Sequence, residues 1–242
     1  MLQTNAERRA TRPLTVDAAE HKERVLAAVA GILGAVLLVI YFTAPAFLGW
    51  PYAGASSDKI TTYANAHAAL FYGGAWLQVT GTLLCAVLFL ALVRHSRAAL
   101  DLSGMVTMVA TAVLLATVVI EAAFLVAVPM AASSGDAGTA GSMFTLSNGV
   151  FLRVFPLAPA SATLIALGLV LRESNLLGPS LAAVALGLGV AFEVGGVAAI
   201  AAPGAIVILV GLSVAQVAWV IAASVRLGMA APTLTTARGA RS

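Results

Sequence analysis

The chain has 242 residues, of which 61% are hydrophobic and only 10% are charged, and its mean hydropathy is +1.00. Soluble domains carry about a quarter charged residues, so most of this chain must have lipid rather than water as its solvent. The single cysteine, Cys85, excludes a disulfide scaffold, and a net charge of only +3 without a basic domain excludes nucleic-acid binding. The composition therefore indicates an integral membrane protein.

Six apolar segments are long enough to cross the hydrocarbon core of a bilayer, which takes about 20 residues of helix. None of them shows the alternating pattern of a membrane β-barrel strand. The chain is therefore predicted to be all-α, a polytopic membrane bundle of six transmembrane helices. In chain order the segments are 25–48, 69–93, 102–129, 144–171, 180–201 and 204–225.

The distribution of Lys and Arg predicts which way the bundle faces, because positive residues resist translocation. If the spans alternate in direction, eleven of these residues fall on one side and Lys59 alone falls on the other. We therefore expect a bacterial-type inner (plasma) membrane protein with a cytoplasmic tail 1–24, a six-helix domain 25–228 and a cytoplasmic tail 229–242. The eleven residues are Arg8, Arg9, Arg12, Lys22, Arg24, Arg94, Arg97, Arg172, Arg226, Arg238 and Arg241.

A cleaved signal peptide is the alternative for the first segment, because Ala44-Pro45-Ala46 is typical of a cleavage site. The segment is preceded by a polar stretch of 24 residues. Its apolar run also exceeds the signal-peptide length of about 7 to 15 residues. We interpret it as a retained span.

Local patterns predict how the helices begin, bend and pack. Ser56 is placed to cap a helix that continues through His67 into the second span, and Pro156 with Pro159 predicts an irregular fourth span. Small residues recur at every fourth position of the fifth span, which allows a neighbouring helix to approach closely. These small residues are Ala183, Gly187, Ala191, Gly195 and Ala199.

Three charged residues lie inside the predicted spans: Glu121, Arg153 and Glu193. Charges in hydrocarbon usually face a bundle interior or a watery cavity, and they mark functional sites. At a rise of about 1.5 Å per residue, they lie roughly 8, 7 and 4 Å to the outer side of the bilayer centre. We expect a polar cluster in the outer half of the bundle, in which Arg153 pairs with one or both glutamates. The remaining candidates for binding a ligand or a proton are Gln78, Tyr41, His67 and Asn148.

Such a cluster fits three kinds of role. The leading one is a site for a small ligand, an ion or a proton, as in a transporter or a sensor. In the second, the buried charges only fix helix packing. In the third, an intramembrane enzyme uses Glu121 or Glu193 as acid or base while Arg153 holds an anionic group.

The motifs of the common enzyme classes do not occur in the sequence. There is no zinc-protease signature, nucleophile elbow or phosphate-binding glycine loop. No catalytic residue, metal site or cofactor is therefore predicted. The expected partners are the lipid bilayer and a small ligand or ion, and not nucleic acid.

Five short segments carry a family resemblance. They are Tyr63-Ala64-Asn65-Ala66-His67, Gly74-Ala75-Trp76-Leu77-Gln78, Ile120-Glu121, Phe151-Leu152-Arg153 with Pro156, and Gln216 with Trp219. In these the chain resembles the uncharacterised bacterial six-helix integral membrane proteins grouped as a domain of unknown function, over about residues 25–227. The resemblance implies the six-helix architecture and the polar positions, and it implies no activity.

Overall fold

The structure, a computed structural model, describes residues 4–201 and 206–229, with side chains from 18 to 201 and from 207 to 229. In these ranges the chain is all-α, as predicted. Six of its helical spans are long and apolar enough to cross a membrane, so the chain is a multi-pass integral membrane protein. The α-helices are α1 (Thr4–Phe47), α2 (Ser57–Ala66), α3 (Ala68–His95), α4 (Leu102–Ser133), α5 (Ala137–Gly149), α6 (Ser161–Ser174), α7 (Pro179–Ala201) and α8 (Ile206–Met229).

The six spans form a closed ring in which neighbours along the chain are neighbours in space. Helix α1 packs on α3, α3 on α4, α4 on α6, α6 on α7 and α7 on α8, while α8 returns to α1. Short connections favour this order, because consecutive helices then pack against each other. One cluster of buried apolar residues, around Phe89 and Leu164, fills the centre of the ring. A second cluster, around Phe71 and Phe144, lies at the end that carries α2, which we call the α2 end.

The short helix α2 lies across this end of the bundle. The hydroxyl of Ser56 caps it by accepting a hydrogen bond from the Lys59 amide at 3.4 Å. The prediction that this helix continues into the second span is wrong, because His67 has φ −134° and ψ 35°. That break lets α2 turn away from α3 and pack on α4 and α5.

The fourth span is longer than predicted. It covers Ala137–Ser174, 38 residues, where the hydropathy pattern predicted 144–171. The added turns begin at Asp136, whose carboxylate accepts a hydrogen bond from the Thr139 amide at 2.9 Å. Small and polar residues occupy these first turns, so hydropathy alone did not detect them.

The middle of the fourth span consists of two π-helical turns, Val150–Val154 and Pro156–Ala160. In the first of them the Phe155 amide donates to the carbonyl five residues earlier, at 2.9 Å. Pro156 and Pro159 have no amide hydrogen to donate, so the regular α-helical ladder is interrupted here. The predicted irregularity is confirmed, and its form is a widening of the helix.

Helix α7 packs partly through a different face from the one predicted. A Cβ atom on Gly189 would lie 2.9 Å from a backbone nitrogen of α6, so this glycine sits in the α6–α7 contact. Of the predicted small-residue stripe, Gly195 and Ala199 are buried, whereas Ala183 and Gly187 are exposed. The stripe prediction is therefore wrong for the half of α7 that lies farther from the α2 end.

One of the remaining predictions about helix ends and turns falls on described residues, and two do not. Residues 4–24, predicted as a tail, belong to the single helix α1. The tight turn predicted at Ala202-Pro203 and the tail from residue 230 onwards lie outside the described residues.

Candidate functional site

Glu121 is the most buried of the three predicted charges. It lies on α4 with 2% of its surface exposed. Tyr41 on α1 donates a hydrogen bond to Glu121 Oε1 at 3.1 Å, and the Gln78 side chain on α3 lies beside the same carboxylate. Glu121 Oε2 and Gln78 Oε1 have no hydrogen-bond partner among the described groups. Three helices thus meet at a buried carboxylate that keeps one free acceptor atom.

A cavity of about 350 Å³ lies beside Glu121 at the α2 end. Its polar lining side chains are Glu121, Tyr41, Ser147, Asn148 and Trp50, the last through its indole N–H, and the other lining side chains are apolar. Among the described residues that line it there is no Lys, Arg or His. The aromatic side chains in the wall are Tyr41, Phe42, Trp50, Phe144 and Phe151.

The cavity exists because the helices around it are held apart. In the described part of the chain, neither α1 nor α8 packs closely on α5, although residues of all three line the space. The α3 wall contributes two glycines, Gly73 and Gly74. A Cβ atom on Gly73 would meet no other atom within 4 Å. A gap between helices and two wall positions without side chains together leave the volume open.

The connection between α1 and α2 covers the cavity. Trp50 lines it, and its ring lies 4.6 Å from the Phe71 ring and 6.3 Å from the Phe144 ring, measured between centroids. The Tyr63 hydroxyl on α2 donates to the Leu48 carbonyl at 2.7 Å. These contacts fix the connection over the cavity by side-chain packing.

Arg153 does not pair with either glutamate, and this prediction is wrong. The described side chains form ion pairs of Arg24 with Glu20 and of Arg94 with Glu23, and a contact of His95 with Glu20, all near the opposite end of the bundle. Arg153 takes part in none of them and is exposed. It lies in the first π-helical turn, where the widened backbone changes the direction of each side chain from the α-helical value.

Glu193 forms a separate polar contact. The Ser161 hydroxyl on α6 donates to Glu193 Oε2 at 2.7 Å, and the glutamate is half-buried. It does not line the cavity. The predicted common cluster of the three charges is therefore divided into a cavity carboxylate, an α6–α7 contact and an exposed arginine.

Of the four other candidates, three lie at or beside the cavity and one lies away from it. Tyr41 and Asn148 line the cavity, and Gln78 adjoins its carboxylate. The Asn148 amide donates one N–H to the Phe144 carbonyl at 2.8 Å, which leaves its second N–H as a donor and its Oδ1 as an acceptor. His67 is exposed on the connection to α3, with its ring stacked on Tyr63 at 4.5 Å, and it does not line the cavity.

Sequence reasoning missed Ser147 and most of the aromatic wall. A signal was present, since cavity residues of the fourth span recur at steps of three and four, which places them on one helix face. That face also carries Asn148, which was predicted. The residues concerned are Phe144, Ser147, Asn148 and Phe151.

Comparison with known proteins adds no assignment, because no family model, no curated protein and no solved structure matches the chain. The class of protein therefore rests on the chain itself. It is a multi-pass helical membrane protein whose described residues form six spans and, at the α2 end, a cavity with one carboxylate, Glu121, among its described lining residues.

Proposed function

We propose that this membrane protein binds a small ligand or ion in the cavity beside Glu121, with that carboxylate as the polar or proton-exchanging group. The free Oε2 atom of Glu121 carries the proposal. A carboxylate buried in a bundle is costly unless it is paired, hydrogen-bonded or functional. Here the Tyr41 hydroxyl occupies one oxygen, the second is buried without a partner among the described groups, and the Glu121 side chain lines the cavity.

The competing structural role depends on charges that hold helices together. A buried ion pair of Arg153 with Glu121 or Glu193 would have served it, but the described side chains do not form that pair. The enzyme alternative also required Arg153 beside a glutamate. The separation of these residues leaves ligand binding as the role that the geometry supports best.

We further propose a transporter-like or sensor-like use of the cavity, in a bacterial inner membrane with both termini inside. Phe151 lies both in the cavity wall and in the first π-helical turn. A ligand that contacts it therefore touches the least regular segment of the bundle.

Reporter fusions test the orientation of the protein in the membrane. Fusions after Gly228 and within 96–100 should report the cytoplasm, and a fusion within 135–141 should report the opposite side. A C-terminal fusion that reports the external side would overturn it.

Filling the cavity tests the proposed function. In Gly73→Leu the new side chain enters open space on the cavity wall, and Gly187→Leu is the matched control, because its Cβ also meets no atom within 4 Å and it lies outside the cavity. We expect the purified protein in detergent to bind 4-phenylbutan-1-ol saturably in calorimetry. Gly73→Leu should abolish the saturable part and Gly187→Leu should retain it. Equal binding by both variants, or no saturable binding by the wild type, would refute a ligand site in this cavity.

A further inference from the structure

We infer that the ligand of the Glu121 cavity is a small organic cation, an ammonium group carried on an apolar body. The inference rests on the proposed function and specifies its substrate class. Three observations carry it: the sign of the charge in the cavity, the kind of hydrogen-bonding atoms left free there, and the aromatic composition of the wall.

The charge of the wall favours a cation. Glu121 is the one ionisable acid among the described lining residues, and no Lys, Arg or His accompanies it. An anionic ligand would meet a carboxylate without a compensating charge, which is unfavourable in a site of low dielectric constant. An ammonium group would instead complete the ion pair that Arg153 does not form.

The unpartnered oxygen of Glu121 favours a ligand that donates hydrogen bonds. Glu121 Oε2 is an acceptor without a partner, and so is Oε1 of Gln78, which adjoins Glu121 but does not line the cavity. Asn148 donates one N–H to the Phe144 carbonyl, and its Oδ1 is a further acceptor in the cavity wall. An ammonium group offers up to three N–H donors, which the oxygens of Glu121 and Asn148 can accept.

The aromatic wall separates organic from inorganic cations. Cations are attracted to the faces of aromatic rings within about 6 Å, and such rings line many sites for ammonium ligands. Next to Glu121, the rings of Tyr41, Phe42 and Phe151 follow one another at centroid separations of 5.2 and 6.0 Å. Calcium and magnesium ions need about six oxygen ligands, whereas this wall offers one carboxylate and a few neutral oxygens. The ring faces suit the ammonium head, and the apolar wall towards Trp50 suits the body.

Glu121 lies in the half of α4 that is nearer to the α2 end, 20 residues beyond Asp101. Beyond that level the exposed residues of α2 and α5 are mainly polar, in contrast to the exposed valines and isoleucines of the other helices. They include Asp58, Lys59, Thr62, Asn65, Thr139, Ser142 and Thr145. The carboxylate therefore lies in the half of the bundle that is nearer to this polar surface.

Three probes with one scaffold test the ligand class: 4-phenylbutylammonium, 4-phenylbutan-1-ol and 4-phenylbutanoate, titrated into the wild-type protein in detergent at neutral pH. We expect the ammonium to bind at least about tenfold more tightly than the alcohol, the ratio that a charge-assisted hydrogen bond of about 1.5 kcal/mol produces. The carboxylate probe should bind more weakly than the alcohol. Glu121→Gln should remove the preference for the ammonium, and Glu193→Gln, a carboxylate outside the cavity, should retain it.

The outcomes separate the ligand class from the proposed function. If ammonium and alcohol bind equally and Gly73→Leu abolishes both, the cavity is a ligand site and the cation assignment is overturned. Tighter binding of the carboxylate probe overturns it as well. If no probe binds saturably, the proposed function itself fails. The comparison of probes on the wild-type protein decides these cases even where Glu121→Gln does not fold.

Discussion

Helices α1 and α3 show two kinds of helix contact within one pair of elements. Where α1 and α3 cross, a Cβ atom on Gly34 would lie 2.6 Å from the Gly81 carbonyl oxygen and 2.9 Å from the Cys85 amide nitrogen. At the α2 end, a Cβ atom on Gly73 would meet no other atom within 4 Å. The same residue type thus closes a helix contact at one level and leaves a cavity wall bare at another. What a membrane-span glycine does depends on the backbone opposite it.

The largest expected effect distinguishes these two kinds of glycine. Gly34→Ala should destabilise the bundle by about 1 to 3 kcal/mol, because the added methyl group meets backbone atoms that cannot move independently. Gly73→Ala should be neutral or slightly stabilising, since alanine is the better helix former. Unfolding of both variants in mixed micelles, under identical conditions, measures the difference. Equal loss of stability would mean that the two sites are packed alike.

The next effect concerns the hydrogen bond at the cavity. Tyr41→Phe removes the donor to Glu121 Oε1 and leaves a buried acceptor unsatisfied, at a cost of about 1 to 3 kcal/mol. With Glu121→Leu in the background, the same substitution should cost much less, because the acceptor is gone. A double-mutant cycle of unfolding free energies measures this coupling. Strictly additive losses would contradict the bond between the two side chains.

Substitution of Arg153 should change the stability of the bundle less than Gly34→Ala or Tyr41→Phe. Breaking a buried ion pair costs about 3 to 5 kcal/mol, whereas substitution of an exposed residue changes stability by about 0.5 kcal/mol or less. Arg153 is exposed and takes part in no ion pair of the described side chains. We therefore expect Arg153→Ala to remain within the smaller range and to be additive with Glu121→Gln and with Glu193→Gln. A loss of several kcal/mol that a glutamate substitution rescues would restore the ion-pair hypothesis.

The smallest effect is local and depends on pH. Hydrogen bonds from the Thr139 hydroxyl and amide hold the pKa of the Asp136 carboxyl below its usual value of 3.8. Because this pKa is lowered in the folded protein, the cap stabilises the start of α5 above the unfolded pKa and is lost as pH falls through the folded one. Hydrogen exchange at the Thr139 amide should be slower in the wild type than in Asp136→Ala at pH 7. Once the pH falls below the folded pKa the two rates should converge, and a difference that persists there would argue against the carboxylate cap.

The membrane class, the number of spans and the buried position of Glu121 could be predicted from the sequence because they depend on local properties. Apolar length determines whether a helix can cross a bilayer, and a carboxylate in such a helix is driven to face the interior. The irregularity of the fourth span could also be predicted from the sequence, because Pro156 and Pro159 lack the amide hydrogen in any tertiary structure. Counting residues along a helix also placed the candidates at comparable depths.

Depth, however, does not determine direction around the helix axis, and the tertiary structure decided that. Each α-helical residue turns by about 100°, and the π-helical turns at Val150–Val154 and Pro156–Ala160 change that angle for every residue beyond them. Arg153 and Glu121, which were expected at similar depths, therefore do not share a face, and Glu193 bonds to Ser161 instead. The cavity has the same origin. It arises because α1 and α5 are held apart by packing with other helices, a relation between distant segments that no single stretch of sequence contains.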